Sequence, residues 1–332
     1  MKVLVTGGGG FLGTGIVRRL LARGDCVTVL GRRNYVHLDD EVIQIQADIR
    51  DKEIVLETTK GQDVVFHAAA VPGIWGSASM FNGINVEGTR NIIEGCRAHA
   101  VKKLIYTSSP SVVYNGTDME NVDESALYPD SYECDYARTK AMAELLVLGA
   151  NGVDGLATVS LRPHLIWGPE DPHLVPRLLD RAKKHRLVQV GDGMNKVDIV
   201  YIDNAVEGHI LACDALTLES PVAGKCYFLS DGKPVVLWDW INELLQRMNL
   251  PKVKIKISYQ RAKQLGGILE WVYGTLKIKS EPPMTSFLAS QLATSHYFDI
   301  SNARKDFNYA PVIDQNEGMN RLIQFLSARP TY

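Results

Sequence analysis

The sequence predicts an α/β fold: a doubly wound, mostly parallel sheet followed by a smaller and mostly helical C-terminal region. Three observations predict it. Short apolar runs alternate with helical patterns through the first half, and strands joined by helical crossovers pair in parallel. A glycine-rich turn links the first apolar run to the first helix. After about residue 165 the alternation loosens and amphipathic helices dominate.

"KVLVTG" (2–7) reads as a buried strand and "FLGTGIVRRLLARG" (11–24) as an amphipathic helix with a glycine stop. "CVTVLGR" (26–32), "EVIQIQAD" (41–48), "DVVFHAAA" (63–70) and "KKLIYTSS" (102–109) are the next four strands, and "LATVSLRP" (156–163) extends the sheet. "NVEGTRNIIEGCRAHA" (85–100) is one of the helical crossovers. Further on, "HLVPRLLDRAKKHR" (173–186) and "AVEGHILACDAL" (205–216) read as helices, with "KVDIVYIDN" (196–204) a strand between them. "KCYFLSDG" (225–232) is a strand returning to the sheet. "LWDWINELLQRMN" (237–249), "AKQLGGILEWVYGTL" (262–276) and "GMNRLIQFL" (318–326) are helices, with a strand at "KVKIKIS". There is no internal repeat and no low-complexity tract.

Composition narrows the function. The chain has 332 residues, 45% hydrophobic and 22% charged, with net charge −2, so bulk charge does not point to nucleic acid. The basic cluster "RAKKHR" (181–186) reads as a solvated helix face. Five scattered cysteines without a CxxC suggest neither a disulfide framework nor a metal site, and fit a reducing cytoplasm. The N-terminus runs straight into a strand without an apolar leader, and no apolar run approaches the roughly 20 residues that span a bilayer. A cytoplasmic location is expected.

"VTGGGGFLGTGI" sets Gly7, Gly10 and Gly13 in GxxGxxG spacing, with Phe11 and Leu12 opening the helix. Missing Cβ atoms let the chain turn sharply and let a pyrophosphate approach the backbone, where helix N–H groups and the dipole meet it. That setting predicts a dinucleotide site. The domain division follows: nucleotide binding at 1–165, with returning segments near 196–232, and substrate binding at 166–195 and 233–332. At the end of the second strand stand Gly31, Arg32 and Arg33. No carboxylate is present there to read a ribose 2′-OH, and a guanidinium can pair with a 2′-phosphate. NADP(H) is therefore expected over NAD(H). Asp48, with Ile49 beside it, is placed to accept from the adenine, and Ala68 and Ala69 are small enough to pass under the cofactor. His67 reads as a packed residue.

"DYARTKAMAE" (135–144) places Tyr136 and Lys140 on one helix face. A phenol titrates near 10, and a neighbouring ammonium lowers that value. The pair suits proton transfer to a carbonyl oxygen that receives a hydride. "YTSSPSVVY" (106–114) leaves a strand at its C-terminal end, where open α/β sheets hold ligands. Ser109 is the candidate hydroxyl for the substrate oxygen, with Ser111 the alternative. Asn85 is a candidate fourth member, relaying protons through water, or else a helix N-cap.

"TGGGGFLG", "NVEGT", "YTSSPSVVY", "YARTK" and "LRPHLIWGP" together resemble the extended short-chain dehydrogenase/reductase superfamily, whose core is a Rossmann-type sheet. The match covers most of the chain and resembles the 3β-hydroxysteroid dehydrogenase branch. That branch includes sterol 4-carboxylate dehydrogenases and bacterial 2-alkyl-3-oxoalkanoate reductases of long-chain olefin synthesis. "AAAVPGIWG", "TSSPSVVYNGTDMENVDES" and "LRPHLIWGPEDPHLVPRLL" are most similar to the olefin-pathway reductases. The resemblance implies catalysis by Ser109, Tyr136 and Lys140, with Lys140 also bonding the nicotinamide ribose. It implies that Pro163 and His164 lie beside the nicotinamide. Pro110 departs from the pattern and constrains the backbone, leaving Ser109 and Ser111 both open.

The resemblance places a substrate pocket between the sheet and the C-terminal region. "LGGILEWVYGTL" (265–276) concentrates apolar residues that could line or cover a pocket for an alkyl chain, lie on a membrane surface, or form an ordinary core helix. Arg177 could pair with a substrate carboxylate or be a plain surface residue. The expected reaction is NADPH-dependent reduction of a hydrophobic 3-oxo acid. Alternatives are a sterol or steroid 3β-dehydrogenase, a nucleotide-sugar epimerase or dehydratase, and a non-catalytic NADP(H)-binding protein. A homodimer and contact with enzymes upstream or downstream are the expected associations.

Overall fold

A computed structural model describes residues 1–328. Seven strands form the central sheet: β1 (Lys2–Thr6), β2 (Cys26–Gly31), β3 (Ile43–Gln46), β4 (Val64–His67), β5 (Lys103–Thr107), β6 (Ala157–Pro163) and β7 (Lys225–Leu229). Every pairing is parallel, in the order β7-β6-β5-β4-β1-β2-β3. The winding reverses between β1 and β4. Their C-terminal ends therefore open a crevice, the position at which such sheets bind ligands.

Both faces of the sheet are covered, which is why its strands read as unbroken apolar runs. Val3 and Val5 point into one layer with Ile16, Val17 and Leu20 of α1 (Phe11–Ala22). Leu4 points the other way, into a layer with Ile92 and Ile93 of a crossover helix and Val147 of the helix that carries Tyr136. The remaining helices used below are α2 (Lys52–Thr59), α3 (Gly88–Ala98), α4 (Asp135–Gly149), α5 (Leu174–Lys183), α6 (Ile202–Ala215), α7 (Leu237–Arg247), α8 (Tyr259–Thr275) and α9 (Ser286–Ala293).

Strand β7 lies beside β6 at the edge of the sheet, as "KCYFLSDG" predicts. The predicted strand at 196–204 does not form as one piece. It splits into two-residue strands, Lys196–Val197 and Val200–Tyr201, and α6 begins at Ile202. Two buried carboxylates take ladder positions: Asp198 accepts from Phe298 N at 2.9 Å, and Asp231 accepts from Tyr201 N at 3.0 Å. The C-terminal part is also less purely helical than expected. Met119–Val122, Lys196–Val197, Val235–Val236 and His296–Phe298 build a second sheet whose strands are too short to carry a period.

Candidate active site

The glycine turn is tight because its glycines face backbone. Gly7 has φ +71°, and a Cβ there would meet Ala69 N at 2.8 Å. A Cβ on Gly13 would lie 2.1 Å from Gly7 O. Helix α1 starts from Gly10 without a side-chain cap, so its first N–H groups have no local side-chain acceptor. A Cβ-free turn ahead of an uncapped helix fits a dinucleotide pyrophosphate. Phe11 and Leu12 open that helix, and Leu12 packs into the core. Ala69 N donates to Thr6 Oγ1 at 3.3 Å, which holds the Ala68–Ala69 segment against the turn.

Arg32 and Arg33 are exposed just past the end of β2. The Tyr35 ring lies against Gly9 and Gly31, where a Cβ would fall 2.2 and 2.7 Å from it, and Arg33 sits 5.5 Å above the ring centroid. Sequence reading missed Tyr35, because only the fold brings residue 35 over residue 9. Asp48 does not stand free for an adenine: Arg50 binds it through Nε and Nη2 at 3.0 and 2.7 Å and holds its carboxyl below the usual range. Ile49 is buried beneath Gly88, whose missing Cβ makes room for it.

Helix α4 is composed mainly of strong helix formers, which present Tyr136 and Lys140 at the end of β5. Lys140 is buried; its Nζ donates to Thr107 O at 2.5 Å and lies 4.2 Å over the Tyr106 ring. Burial brings its pKa down to about 7, against the opposing pull of Glu144. Burial holds the Tyr136 phenol above its usual value, with the neighbouring Ser109 hydroxyl working against it. The anticipated lowering of the phenol by Lys140 is thus absent from this geometry, since the ammonium is directed at Thr107 O. Ser111 Oγ donates to Ser109 Oγ at 3.0 Å, so the hydroxyls run in the series Ser111, Ser109, Tyr136. Pro110 does not disturb this series. It opens a short 3₁₀ turn after Ser109, whose extended φ −157° and ψ 146° suit a residue before proline.

Asn85 is buried in a π-helical stretch, Asn82–Glu87, and is not an N-cap. Its Oδ1 accepts from Val71 N at 2.9 Å and its Nδ2 donates to Thr139 Oγ1 at 3.0 Å. It therefore ties the segment after β4 to α4, one residue from Lys140. His67 is a packed residue, as expected, held by Thr6 at 2.6 Å and Thr89 at 2.9 Å. Burial pushes its pKa to about 3.

Pro163 ends β6 and His164 N donates to Leu229 O at 3.2 Å. The His164 side chain is bonded to His296 at 2.6 Å rather than standing as an independent group. His296 Nε2 donates to Gln291 O at 2.9 Å, which leaves its Nδ1 to accept from His164. Burial keeps both rings neutral by lowering their pKa values. Nothing in the sequence signals this partnership, 132 residues apart. Glu144, also missed, continues the Tyr136–Lys140 spacing by one more turn and is buried with Arg162, Ser160 and Tyr128 around it. Arg177 is engaged by Glu281 at the surface. Among the described residues, no group of three or more His, Cys, Asp or Glu is arranged to hold a metal, and no helix is long and apolar enough to cross a membrane.

Comparison with known proteins agrees with this architecture. The 2-alkyl-3-oxoalkanoate reductase of Stenotrophomonas maltophilia (strain K279a) is 46% identical over 97% of this chain and 98% of that one. The mouse protein sterol-4-alpha-carboxylate 3-dehydrogenase, decarboxylating, is 34% identical over 97% of this chain and 90% of its own. A solved structure of UDP-glucuronic acid 4-epimerase from Bacillus cereus in complex with NAD shares the fold, with TM-score 0.74, 22% identity and 99% coverage of both chains. The 3-beta hydroxysteroid dehydrogenase/isomerase family matches residues 4–259. A sheet wound for a nicotinamide cofactor, a tyrosine and a lysine one helical turn apart at its open end, and these relatives place the chain in the 3-beta hydroxysteroid dehydrogenase/isomerase family of oxidoreductases.

Proposed function

We propose that this chain reduces 2-alkyl-3-oxoalkanoates to 2-alkyl-3-hydroxyalkanoates with NADPH. One observation carries the reading: 46% identity across 97% of the chain to a reductase of that name. The exposed Arg32 and Arg33, with Gly31 where an acid would stand, support the phosphorylated cofactor. Gly7, Gly10, Gly13, Ala68 and Ala69 would hold it, and Tyr136, Lys140 and the Pro163–His164 segment would border its nicotinamide end. The bound nicotinamide supplies the hydride.

The protein's own residues handle the oxygen and the proton. Ser109 orients the substrate oxygen. Tyr136, kept protonated at neutral pH by its burial, gives its proton to the developing alkoxide. Ser111 and Ser109 stand in series behind the phenol as a route by which that proton is replaced. Lys140 charges and discharges near pH 7, so its hold on Thr107 O and on the cofactor ribose would change across the physiological range. Asn85 holds the helix and the loop that frame these groups.

A 3-oxo acid loses carbon dioxide readily, so delivery from an upstream enzyme belongs to this reading; the family resemblance adds a homodimer. Turnover against 2-alkyl-3-oxo acids, 4-carboxysterols and nucleotide-sugars, each with NADPH and NADH, tests it. Preference for the first class with NADPH is expected, and preference for NADH or for another class refutes it. Tyr136→Phe is expected to lower kcat by about a hundred- to ten-thousand-fold with NADPH affinity retained. A wild type that binds NADPH yet reduces no carbonyl would leave a binding-only protein. The 34% identity to a sterol-4-alpha-carboxylate 3-dehydrogenase makes the carboxysterol the second reading.

A further inference from the structure

Helix α8 has two apolar faces, and the fold buries only one. Ala262 and Gly266 face the start of α9; a Cβ on Gly266 would meet the Thr285 backbone at 2.5 Å, and Glu270 bonds Ser286 at 2.7 Å. On the other side, Leu265, Ile268, Trp271 and the following Leu276 are 43, 60, 70 and 66% exposed. Leu265, Ile268 and Leu276 fall in one stripe, with Leu269 and Val272 between them partly exposed. Their spacing of three and four is what a helix normally turns to a core. Scattered exposed apolar residues need no explanation, but a row of them with a tryptophan marks an interaction surface.

The charge around that row identifies its partner. Residues 252–279 carry seven Lys or Arg and one Asp or Glu, in a chain of net charge −2. The single acid, Glu270, is turned inward to Ser286. Lys263 is paired with Glu133, but Lys252, Lys254, Lys256, Arg261, Lys277 and Lys279, which flank the apolar row along the chain, are exposed. Ile255, 55% exposed, adds an apolar side chain among those lysines. An apolar stripe with a basic rim matches the interface of an anionic bilayer: acyl boundary below, phosphate above.

We propose that α8 and its flanking lysines dock this protein on an anionic lipid surface. The surface lies beside the reaction cleft. Trp75, six residues beyond the Ala69 that touches Gly7, donates from Nε1 to Ile278 O at 3.2 Å and packs edge-on against Tyr273, 6.2 Å between centroids. Docking would therefore bring the lipid face to the cleft's edge, where an amphiphilic substrate could pass without crossing water. That last benefit rests on the alkyl substrate proposed above; the docking itself does not.

Vesicle flotation reads the docking without activity. Vesicles of phosphatidylcholine mixed with phosphatidylglycerol are expected to carry the protein up the gradient, phosphatidylcholine alone far less, and added salt to release it. Ile268→Glu with Trp271→Glu should lower binding at least about tenfold with no fall in Tm, since both side chains are exposed. Lys277→Glu with Lys279→Glu should weaken binding and its salt dependence. Failure to float with the anionic vesicles, or equal flotation of wild type and the apolar double variant, overturns the proposal. So does a double variant that sediments as a smaller species in the absence of lipid, which would make the row a contact between copies of this chain.

Discussion

The glycine turn and helix α8 each place glycines in an apolar setting, and they were unequally readable. In the turn, the groups that require glycine lie within a few residues: Gly13 against Gly7 O, Gly10 N on Gly7 O at 2.9 Å. In α8, Gly266 is required by Thr285 and the helix end is pinned by Trp75, 203 residues from Ile278. Adjacent Gly267 meets only Ser286 Oγ, at 3.7 Å. The contrast teaches that a glycine motif is informative when its reason is local. It is ambiguous when the reason sits on another element.

Acid gives the largest expected effect and probes both regions together. His67 and His209 are buried against the central sheet, at Thr6 and Thr107, and His164 is bonded to His296 from the second sheet. All four have folded pKa values lowered by burial, to about 3 for His67 and about 4 for His209. They are neutral when folded and take up protons when unfolded, so their stability is present above about pH 6.5 and lost as pH falls toward 4. Tm measured from pH 7 to 4.5 should drop steeply, and His209→Gln should flatten the curve. A level Tm would show that the histidines are not buried as neutral groups.

Next in size is Glu144→Gln. Arg162 and Glu144 are 1 and 0% exposed and bond at 2.6 Å. Burial works to raise the Glu144 carboxyl, and the Arg162 charge outweighs it. Removing the carboxylate charge strands the buried Arg162 guanidinium, at a cost of about 3–5 kcal/mol in urea unfolding. Loss of under about 1 kcal/mol would show that water reaches the pair.

The glycines give the smallest effects and the sharpest comparison. Gly13→Ala should lose about 1–3 kcal/mol and weaken NADPH binding, because a backbone oxygen stands 2.1 Å from the new carbon. Gly267→Ala should be neutral or gain up to about 1 kcal/mol, because the site is open and alanine favours helix. Equal losses at the two positions would mean that α8 is as tightly held as the turn.

The sheet was legible because its order follows from alternation along the chain. Apolar runs, crossovers and a glycine turn recur within short windows, and β1 through β7 formed where those runs lie. The Tyr136–Lys140 pair was legible for the same reason: a helical turn is a local object. The strand at 196–204 was not, because buried Asp198 and Asp231 interrupt its ladder from positions whose burial no pattern reveals. Nor was the second sheet, assembled from pieces of two to four residues.

By itself, the sequence determined the doubly wound sheet, the cradle at its first turn and the helix that carries the phenol and the amine. Each depends on groups within a few residues of one another, where covalent connection enforces the geometry. Only the tertiary structure decided that Tyr35 covers Gly9, that His164 bonds His296, and which face of α8 is left to solvent. Those outcomes are settled by desolvation and partner choice between distant segments, which no local spacing encodes.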